Sequence, residues 1–432
     1  GNDHYPDLFI GRFSAETPRQ LLTMVDRTLA YEINPSSGNW YTRAIGIGSE
    51  TGPGYRGLMD YQQIRFVDSA YLLTATYRHI AEFFDGSQGG NDANGNPTAS
   101  MLRTAINRGG GIINYCGHGS TTGWVTTHFD NSQVSKLENN NKWPYIISVS
   151  CATGNFVHQD CFAESWLRAS YGGKPAGAVA VLMPTIDQSW DPPMYAQQQM
   201  NALLAAPDSA YPPRTFAAIC MDGCIKMNDE YGTDGYEITD TWTVFGDPSL
   251  EVRTDTPKDI EADYPVSVDD TCSSILVKTN LHNGRVALFS KGIIYAVTNV
   301  DSFGNALLPV DSIPTGNQAD LTITAFNHRP FFGKIQWSSD LDMKTNRKNA
   351  LGLKVFPNPA KAMVSLSFVL KTGNETKMNV YDLSGKRITT LFSGKLAPGK
   401  HYLRWKPNTS GVYILRLKAG KNIVEKKIVF LK

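Results

Sequence analysis

Short runs of apolar residues alternate with helical patterns along residues 1–254 of this chain. The runs Pro144–Ser150 and Gly177–Met183 contain no charged residue and are rich in Ile, Val, Ala and Leu. Uninterrupted apolar runs of this length are typical of strands that are buried on both faces. Strands that alternate with helices pair mainly in parallel, with right-handed crossovers. The sequence therefore predicts an α/β domain in which helices flank a mainly parallel sheet.

The same patterns predict the individual elements of this domain. Two further strands are expected at Arg43–Gly48 and Gly111–Tyr115, where short apolar segments are bounded by glycine. Helices are expected where apolar residues recur every three or four positions. The predicted helices are Gln62–Phe84, Ala99–Asn107, Asp160–Ser170, Met194–Ala205 and Pro213–Asn228.

Beyond Pro257 the pattern changes to short strands separated by turn residues, which favours β-sandwich modules. Two such modules are predicted, at 255–337 and 351–432, joined by a polar linker at 338–350. From residue 351 onward 16 Lys and Arg face three acidic residues, a net charge of +13, whereas residues 1–350 carry −12. A step in charge of this size marks a module boundary. A solvated, lysine-rich module explains the basic tail better than affinity for an anionic surface.

The composition excludes several broad classes of protein. With 41% apolar and 19% charged residues, the 432-residue chain is not disordered throughout. The net charge of +1 gives no argument for binding nucleic acid. The longest apolar run, Ala176–Met183, is far shorter than the roughly 20 residues of a membrane-spanning helix. Six cysteines are too few for a disulfide framework. The chain starts at Gly1 rather than Met, which predicts a processed or trimmed segment.

Two of the predicted strands end at a reactive side chain with small residues beside it. One is followed by Cys-Gly-His-Gly-Ser at 116–120, and the other by Cys-Ala-Thr-Gly at 151–154. Sites in open α/β sheets form at the carboxyl ends of strands, so neighbouring strands would bring His118 and Cys151 together. An imidazole beside a thiol activates it for acyl transfer. The backbone N–H groups of Gly119 and Cys151 are then candidates for an oxyanion hole.

Other interpretations of these residues stay open at this point. A cysteine at the end of a buried strand is more often an inert core residue than a nucleophile. Zinc is a rival for some of the same side chains, although the usual Cys-x₂-Cys and His-x₃-His spacings do not occur. The residues in question are Cys116, His118, Cys151 and Cys161. The remaining residues of these types are assigned no chemistry, and they include Cys220 and Cys224 on a predicted helix and His128 and His158 in predicted loops.

Several stretches of residues 1–254 resemble the gingipain-type cysteine peptidases of the gingipain R kind, from the same clan as caspases and clostripain. The resemblance implies a caspase-like fold with Cys151 as the nucleophile and His118 as general base and acid. It places Gly119 in the oxyanion hole and Glu50 as the acid that orients the histidine. The matching stretches are Gly1–Tyr5, Phe9–Ser14, Asn114–Ser120, Ile186–Trp190 and Asp240–Ser249.

The resemblance also suggests a pocket for a basic substrate side chain. It assigns Asp60 to the pocket floor, Trp190 and Met194 to its walls, and Gln188 to substrate binding. A carboxylate suits the planar arginine fork, and an indole face suits its cation. Two alternatives stay open, because Asp60 could instead be a helix N-cap, and other acids lie close to Trp190 in the sequence. Those acids are Asp187 and Asp191.

The resemblance extends over the rest of the chain. Residues 255–337 are similar to the immunoglobulin-like domain of the family, and residues 351–432 are similar to the sorting tail of proteins exported by the type IX secretion system. These similarities imply a secreted protein, extracellular or attached to the outer-membrane surface of a Gram-negative bacterium. They also imply a propeptide and a smaller α/β subdomain upstream of Gly1. Structural calcium is expected without assigned ligands, and no cofactor is expected for catalysis.

Together these observations predict a secreted cysteine endopeptidase that cleaves after basic residues, Arg in preference to Lys. Its partners would be protein or peptide substrates and the type IX secretion machinery, with neither nucleic acid nor a membrane span. Two alternatives from other classes stay open. The chain could be a surface adhesin built on an inactive peptidase scaffold. It could also be a sortase-like transpeptidase, because an acyl-enzyme can be resolved by an amine.

Overall fold

The structure is a computed structural model of the chain. Except for its first residue, the predicted linker 338–350 lies outside the described residues, as do Gly1–Asp3, His158 and Pro213. The structure describes residues 4–157, 160–206, 214–269, 272–310, 317–338, 351–383 and 385–431. The described residues of 1–265, 274–309 and 320–334 form one compact unit, and those of 266–273, 310–319 and 335–432 form a second.

The first unit contains the predicted α/β domain. Its helices are α1 (Pro18–Ile33), α2 (Asp60–Val67), α3 (Ala99–Arg108), α4 (Asn131–Val134), α5 (Phe162–Arg168), α6 (Asp191–Ala205), α7 (Phe216–Tyr231) and α8 (Thr233–Thr241). Its strands up to residue 254 are β1 (Arg43–Gly48), β2 (His79–Phe84), β3 (Ile112–Cys116), β4 (Gly119–Ser120), β5 (Gly123–Trp124), β6 (Phe129–Asp130), β7 (Tyr145–Val149), β8 (Ser170–Tyr171), β9 (Lys174–Pro175), β10 (Ala180–Pro184) and β11 (Trp242–Phe245).

Six of these strands form the central sheet, in the order β11-β10-β7-β3-β1-β2. Neighbouring strands are parallel except β11, which runs antiparallel to β10 at the edge. Successive strand residues point to opposite faces. Ile112 therefore packs with Ile64 of α2 on one face, while Ile113 packs with Trp166 of α5 on the other. The predicted mainly parallel sheet flanked by helices is confirmed.

The single long helix predicted at Gln62–Phe84 is wrong. Helix α2 ends at Val67, one π-helical turn follows at Asp68–Leu72, and the chain then enters strand β2. Phe83 and Phe84 follow Ile80 by three and four positions, a spacing that fits a helix as well as a buried strand. Pairing with β1 along its whole length decides for the strand, so tertiary contact overrides the local pattern.

The strands that follow residue 257 are β12 (Ala262–Asp263), β13 (Ser267–Asp269), β14 (Ser274–Thr279), β15 (Gly284–Ser290), β16 (Ile293–Val300), β17 (Asn305–Pro309), β18 (Gln318–Thr324) and β19 (Phe331–Ser338). In the first unit β14 pairs with β12 and β17, and β15 pairs with β16 and β18, all antiparallel. This segment is β-rich, as expected. Its immunoglobulin-like character stays a prediction.

In the second unit the tail also folds into β-strands. They are β20 (Lys354–Phe356), β21 (Val364–Leu370), β22 (Asn374–Tyr381), β23 (Arg387–Leu396), β24 (Gly399–Trp405), β25 (Gly411–Ala419) and β26 (Asn422–Phe430). They form one sheet in the order β20-β21-β24 and another in the order β23-β22-β25-β26. Leu366, Met378 and Leu415 belong to the apolar core of this segment. Within the described residues, no helix combines the length and the apolar character that crossing a membrane requires.

Candidate active site

The two strands that end in reactive residues are neighbours in the central sheet. Strand β3 pairs in parallel with β7, and Cys116 at the end of β3 lies opposite Val149 at the end of β7. The ladder extends one step further, because the Gly117 N–H donates to the Val149 carbonyl at 3.1 Å. His118 and Cys151 each follow these ends by two residues. The sheet therefore brings them to the same carboxyl edge, as the sequence predicted.

The backbone of His118 is held in place while its side chain stays exposed. The His118 carbonyl accepts hydrogen bonds from the Val125 N–H at 3.0 Å and from the Tyr115 hydroxyl at 2.5 Å. Strands β4 and β5 pair directly after the histidine and fix the path of the chain. The imidazole lies edge-on to Trp190, with ring centroids 5.6 Å apart. Within the described residues its ring nitrogens make no hydrogen bond, so both are available for proton transfer.

Cys151 lies in a tight turn at the end of β7. The next residue, Ala152, has a φ of +54°, a left-handed conformation that costs an alanine about 1–2 kcal/mol. The turn is held by the Ala152 N–H, which donates to the Ile186 carbonyl at 2.9 Å. Burial raises the pKa of the Cys151 thiol, and the Asp187 carboxylate raises it further, although the Gln188 backbone N–H opposes both by donating to the sulfur. The resting residue is therefore a protonated thiol that needs a base.

Gly119 packs directly against the main chain of the nucleophile. A Cβ at this position would lie 2.7 Å from the Cys151 carbonyl oxygen and 2.9 Å from Cγ2 of Thr153. Only glycine permits this approach without displacing the turn. The Cys151 N–H makes no hydrogen bond within the part of the chain that the structure describes. It is therefore free to stabilise an oxyanion, the role predicted for it together with Gly119.

A cavity of about 140 Å³ joins these groups. His118 and Cys151 both line it, and so do Gln188 and Trp190. The Oε1 atom of Gln188 accepts the Ser150 N–H at 3.4 Å, while its Nε2 is buried without a partner among the described residues. The complete lining is Cys116, Gly117, His118, Val149, Ser150, Cys151, Gln188, Ser189 and Trp190.

Asp60 lies behind this cavity, with its side chain fully buried. Its Oδ1 accepts the Trp190 indole N–H at 2.8 Å and the Cys116 thiol at 3.4 Å, and its Oδ2 accepts the Ser49 hydroxyl at 2.5 Å. Burial raises the pKa of the Asp60 carboxyl, and these three donors oppose the rise. Two of these donors, Trp190 and Cys116, line the cavity, so the Asp60 carboxylate lies directly behind its wall. Its role as the floor of a substrate pocket stays a prediction.

The alternative of Asp60 as a helix N-cap is wrong. Helix α2 begins at Asp60, and Met59 is the capping residue. Gln62 reaches back to this cap, since its Oε1 accepts the Met59 N–H at 2.9 Å. The Asp60 carboxylate is directed instead to side chains of three separate segments.

Met194 and Trp190 support the loop before Asp60. A Cβ at Gly54 would lie 2.3 Å from the Met194 sulfur and 3.1 Å from Cδ1 of Trp190, so this loop rests against both side chains. Trp190 lines the cavity, whereas Met194 is fully buried and does not. Met194 therefore supports the loop at Gly54 from the core, and its predicted role as a pocket wall stays a prediction.

The three other predicted acids are exposed. The Glu50 carboxylate lies near Gly86, where a Cβ would be 3.5 Å from its Oε2, and no hydrogen bond joins it to His118 among the described residues. Its orienting role stays a prediction. Asp187 lies beside the Cys151 thiol rather than in the floor, and Asp191 is the first residue of α6.

Two of the donors to Asp60 were not predicted from the sequence. They are Ser49 and Cys116, and for Cys116 the sequence suggested only a possible zinc ligand. No sequence signal could have identified this pair, because the register that places Cys116 opposite Gly48 on β1, one residue before Ser49, appears only in the folded sheet. Cys220 and Cys224, to which the sequence assigned no chemistry, are buried in the apolar core. His128 is exposed, with no role suggested by its position.

No metal centre is assigned in the described ranges. Within them, no group of three or more His, Cys, Asp or Glu side chains could hold a metal ion. The four zinc candidates are all described residues, and they do not form such a group. Structural calcium stays a prediction without ligands.

Comparisons with known proteins identify relatives of this chain. Residues 354–431 match the secretion system C-terminal sorting domain, so the predicted secreted, extracellular or surface-attached location is confirmed. The chain is 33% identical over 438 residues to Gingipain R2 of Porphyromonas gingivalis, spanning 99% of this chain and 55% of that protein. It is 37% identical over 333 residues to Gingipain R1 of the same species, spanning 76% of this chain and 32% of that protein. The chain thus spans about half, or less, of the length of these relatives.

The chain is also similar to a solved structure. The crystal structure of the Arg-specific cysteine proteinase gingipain R is similar, with a TM-score of 0.72 and 34% identity over 78% of this chain and 77% of that one. This match confirms the caspase-like class of the fold. Residues 1–253 match the model of peptidase family C25. The chain therefore belongs to peptidase family C25.

Proposed function

We propose that this protein is a cysteine endopeptidase that cleaves peptide bonds after basic residues, Arg in preference to Lys. The observation that carries the proposal is the shared cavity, which His118 and Cys151 line and behind which the buried Asp60 carboxylate lies. Membership of peptidase family C25 supports the reaction class. The similarity to Gingipain R1 and R2 supports the preference for Arg.

The chemistry begins at the protonated Cys151 thiol. His118 takes the thiol proton, and the thiolate attacks the carbonyl carbon of the scissile bond. The backbone N–H groups of Cys151 and Gly119 stabilise the oxyanion of the tetrahedral intermediate. His118 then returns the proton to the leaving amine, which departs and leaves an acyl-enzyme on Cys151. Water, activated by the same imidazole, hydrolyses the thioester and restores the thiol.

The pocket explains the basic preference. A cationic side chain that enters the cavity meets the Trp190 ring and, behind it, the Asp60 carboxylate. The planar guanidinium pairs with a carboxylate through two parallel hydrogen bonds, which a lysine ammonium cannot reproduce. Glu50 is proposed to orient the imidazole once substrate is bound, since apo hydrogen bonds at catalytic sites often tighten only in the complex.

The test is covalent labelling with a peptide reagent whose Arg residue carries a reactive ketone. A cysteine thiol that attacks this ketone becomes alkylated. Intact-mass and peptide-level spectrometry would locate the adduct. We expect one adduct on Cys151, its loss in Cys151→Ala, and its persistence in the control Cys272→Ala, which changes a thiol outside the cavity. An adduct on another cysteine, or equal labelling by a reagent with Leu in place of Arg, would contradict the proposal.

We further propose that the tail engages the type IX secretion machinery. The match of residues 354–431 to a secretion sorting domain supports this assignment. Removing residues 351–432 should retain the protein inside the cell envelope, whereas the full chain reaches the surface or medium. Equal export of both forms would contradict this role.

A further inference from the structure

Cys116 is a second thiol in the catalytic cavity, and the mechanism above does not use it. It ends strand β3, its side chain is fully buried, and it lines the same cavity as Cys151 and His118. Its sulfur lies 3.4 Å from Oδ1 of Asp60, within range for an S–H donor. Burial and the Asp60 carboxylate raise the pKa of this thiol, so it keeps its proton and remains a donor.

The hydrogen bonds of Asp60 leave little capacity for a substrate. A carboxylate has about four lone-pair sites, two on each oxygen. Trp190 and Cys116 occupy both sites on Oδ1, and Ser49 occupies one on Oδ2. About one acceptor site therefore remains, on Oδ2. A lysine ammonium can use a single site, whereas a bidentate arginine fork needs one site on each oxygen.

An arginine substrate must therefore displace one donor from Oδ1. The Trp190 indole bond is the stronger of the two, at 2.8 Å, and its ring packs against the loop at Gly54. The Cys116 bond is longer, and a thiol is a weak donor. Cys116 also reaches the cavity directly. The Cys116 thiol is therefore the donor that an arginine side chain displaces from Oδ1 of Asp60.

We propose that Cys116 is a specificity-determining residue of the pocket, whose thiol occupies the Asp60 acceptor site that an arginine fork requires and so moderates the preference for Arg over Lys. The inference rests on the proposed function, because it concerns the basic side chain that the cavity would bind. It predicts opposite effects for two substitutions. Cys116→Ala frees the acceptor site, whereas Cys116→Ser fills it with a stronger hydroxyl donor.

The test compares kcat/KM for two matched reporter peptides that differ only in Arg or Lys before the scissile bond. The wild-type protein, Cys116→Ala and Cys116→Ser are measured. Cys220→Ala is the matched control, since Cys220 is an equally buried thiol on the core-facing side of α7. We expect the Arg-to-Lys ratio to rise about three- to tenfold in Cys116→Ala, mainly through KM for Arg, and to fall in Cys116→Ser. Thermal unfolding confirms that each variant is folded.

A purely structural role gives a different result. Equal losses on both peptides, or a ratio that stays at the wild-type value in both Cys116 variants, would overturn the inference while leaving the peptidase assignment intact. If Cys116→Ala does not fold, Cys116→Ser alone tests the inference. A lower Arg-to-Lys ratio in this variant supports it, and an unchanged ratio overturns it.

A binding readout separates this inference from the proposed function. Butylguanidinium and butylammonium affinities are measured by calorimetry on the catalytically inert Cys151→Ala protein, with and without Cys116→Ala. Preferential tightening of butylguanidinium in the double variant supports the inference even if no peptide is cleaved. Absence of peptide cleavage by the wild type would instead contradict the proposed function. Unchanged relative affinity of the two probes would overturn the role of Cys116.

Discussion

Asp60 and Asp68 are two buried aspartates on one stretch of chain, and they differ in what surrounds them. Asp60 begins α2, receives three side-chain donors and lies behind the cavity. Asp68 begins the π-helical turn, and both of its carboxylate oxygens are buried without a partner among the described residues. Burial is the largest cause of a raised pKa in both. The comparison teaches that burial without hydrogen-bond partners destabilises a carboxylate, whereas the three donors to Asp60 offset part of that cost beside the cavity.

The largest expected effect separates the two aspartates by activity. Asp60→Asn should lower kcat/KM for an Arg peptide by about 10²- to 10³-fold, because the buried cation loses its counter-charge. Asp68→Asn is the matched control, and it should leave kcat/KM unchanged, since Asp68 neither lines the cavity nor, among the described residues, accepts a hydrogen bond from a residue that does. Steady-state kinetics on both variants check this. Equal losses in the two would remove Asp60 from the pocket.

The next effect concerns two crowded glycines. A Cβ at Gly119 would press on the main chain of Cys151, and a Cβ at Gly46 would lie 2.6 Å from Ile64 and 2.8 Å from Oδ2 of Asp68. Gly119→Ala should reduce kcat about 10²-fold by displacing the nucleophile turn. Gly46→Ala should lower the melting temperature instead. Full activity in Gly119→Ala would show that the turn adjusts freely and would argue against its oxyanion role.

A smaller effect concerns stability and pH. Burial raises the pKa of the Asp68 carboxyl well above its ordinary value of 3.8, Glu82 raises it further, and Arg65 opposes them. Because the folded state holds this proton more tightly than the unfolded state, the stabilisation is complete below about pH 3.8 and is lost as pH rises through the folded pKa. Asp68→Asn should therefore raise the free energy of unfolding above that pKa, by on the order of 1–3 kcal/mol. Denaturant unfolding at acid and alkaline pH checks this, and a gain that is larger in acid would contradict it.

The smallest effect concerns an exposed carboxylate. Asp187 raises the pKa of the Cys151 thiol, so Asp187→Asn should speed alkylation of Cys151 by iodoacetamide at neutral pH by roughly two- to fivefold. Cys272 in the same chain is the internal reference, and mass spectrometry reports both rates. A slower reaction of Cys151 in the variant would contradict the conclusion that Asp187 raises the pKa of this thiol.

The sheet was predictable from sequence because its strands carry their own signal. Strands β3 and β7 are short, mostly apolar segments followed by a reactive side chain among small residues, so their role as site-bearing strands could be recognised. Strand β2 carried no such signal, since its apolar spacing also fits a helix. The partners of Asp60 were harder still. Ser49, Cys116 and Trp190 lie 11, 56 and 130 positions away, and only the folded sheet brings them to one carboxylate.

The difference between the surroundings of Asp60 and those of Asp68 also arises from the tertiary fold. In sequence, both are single acids at the start of a helical turn, and no local pattern distinguishes them. The surroundings of each aspartate depend on which segments of the chain pack against it. Gly46 presents no side chain to Asp68, while the turn after β1, the end of β3 and the residue before α6 supply donors to Asp60. The proposed role of Glu50 depends on a contact with His118. The spacing of these residues in the sequence could not predict whether that contact forms.

The central claim is that Cys151 cleaves peptides after a basic residue held at Asp60. Initial rates on four matched reporter peptides, with Arg, Lys, Asp or Leu before the scissile bond, test it most directly. We expect cleavage after Arg above Lys, none after Asp or Leu, and complete loss in Cys151→Ala with Cys272→Ala unaffected. Equal cleavage after Leu, or turnover that survives in Cys151→Ala, would contradict the account.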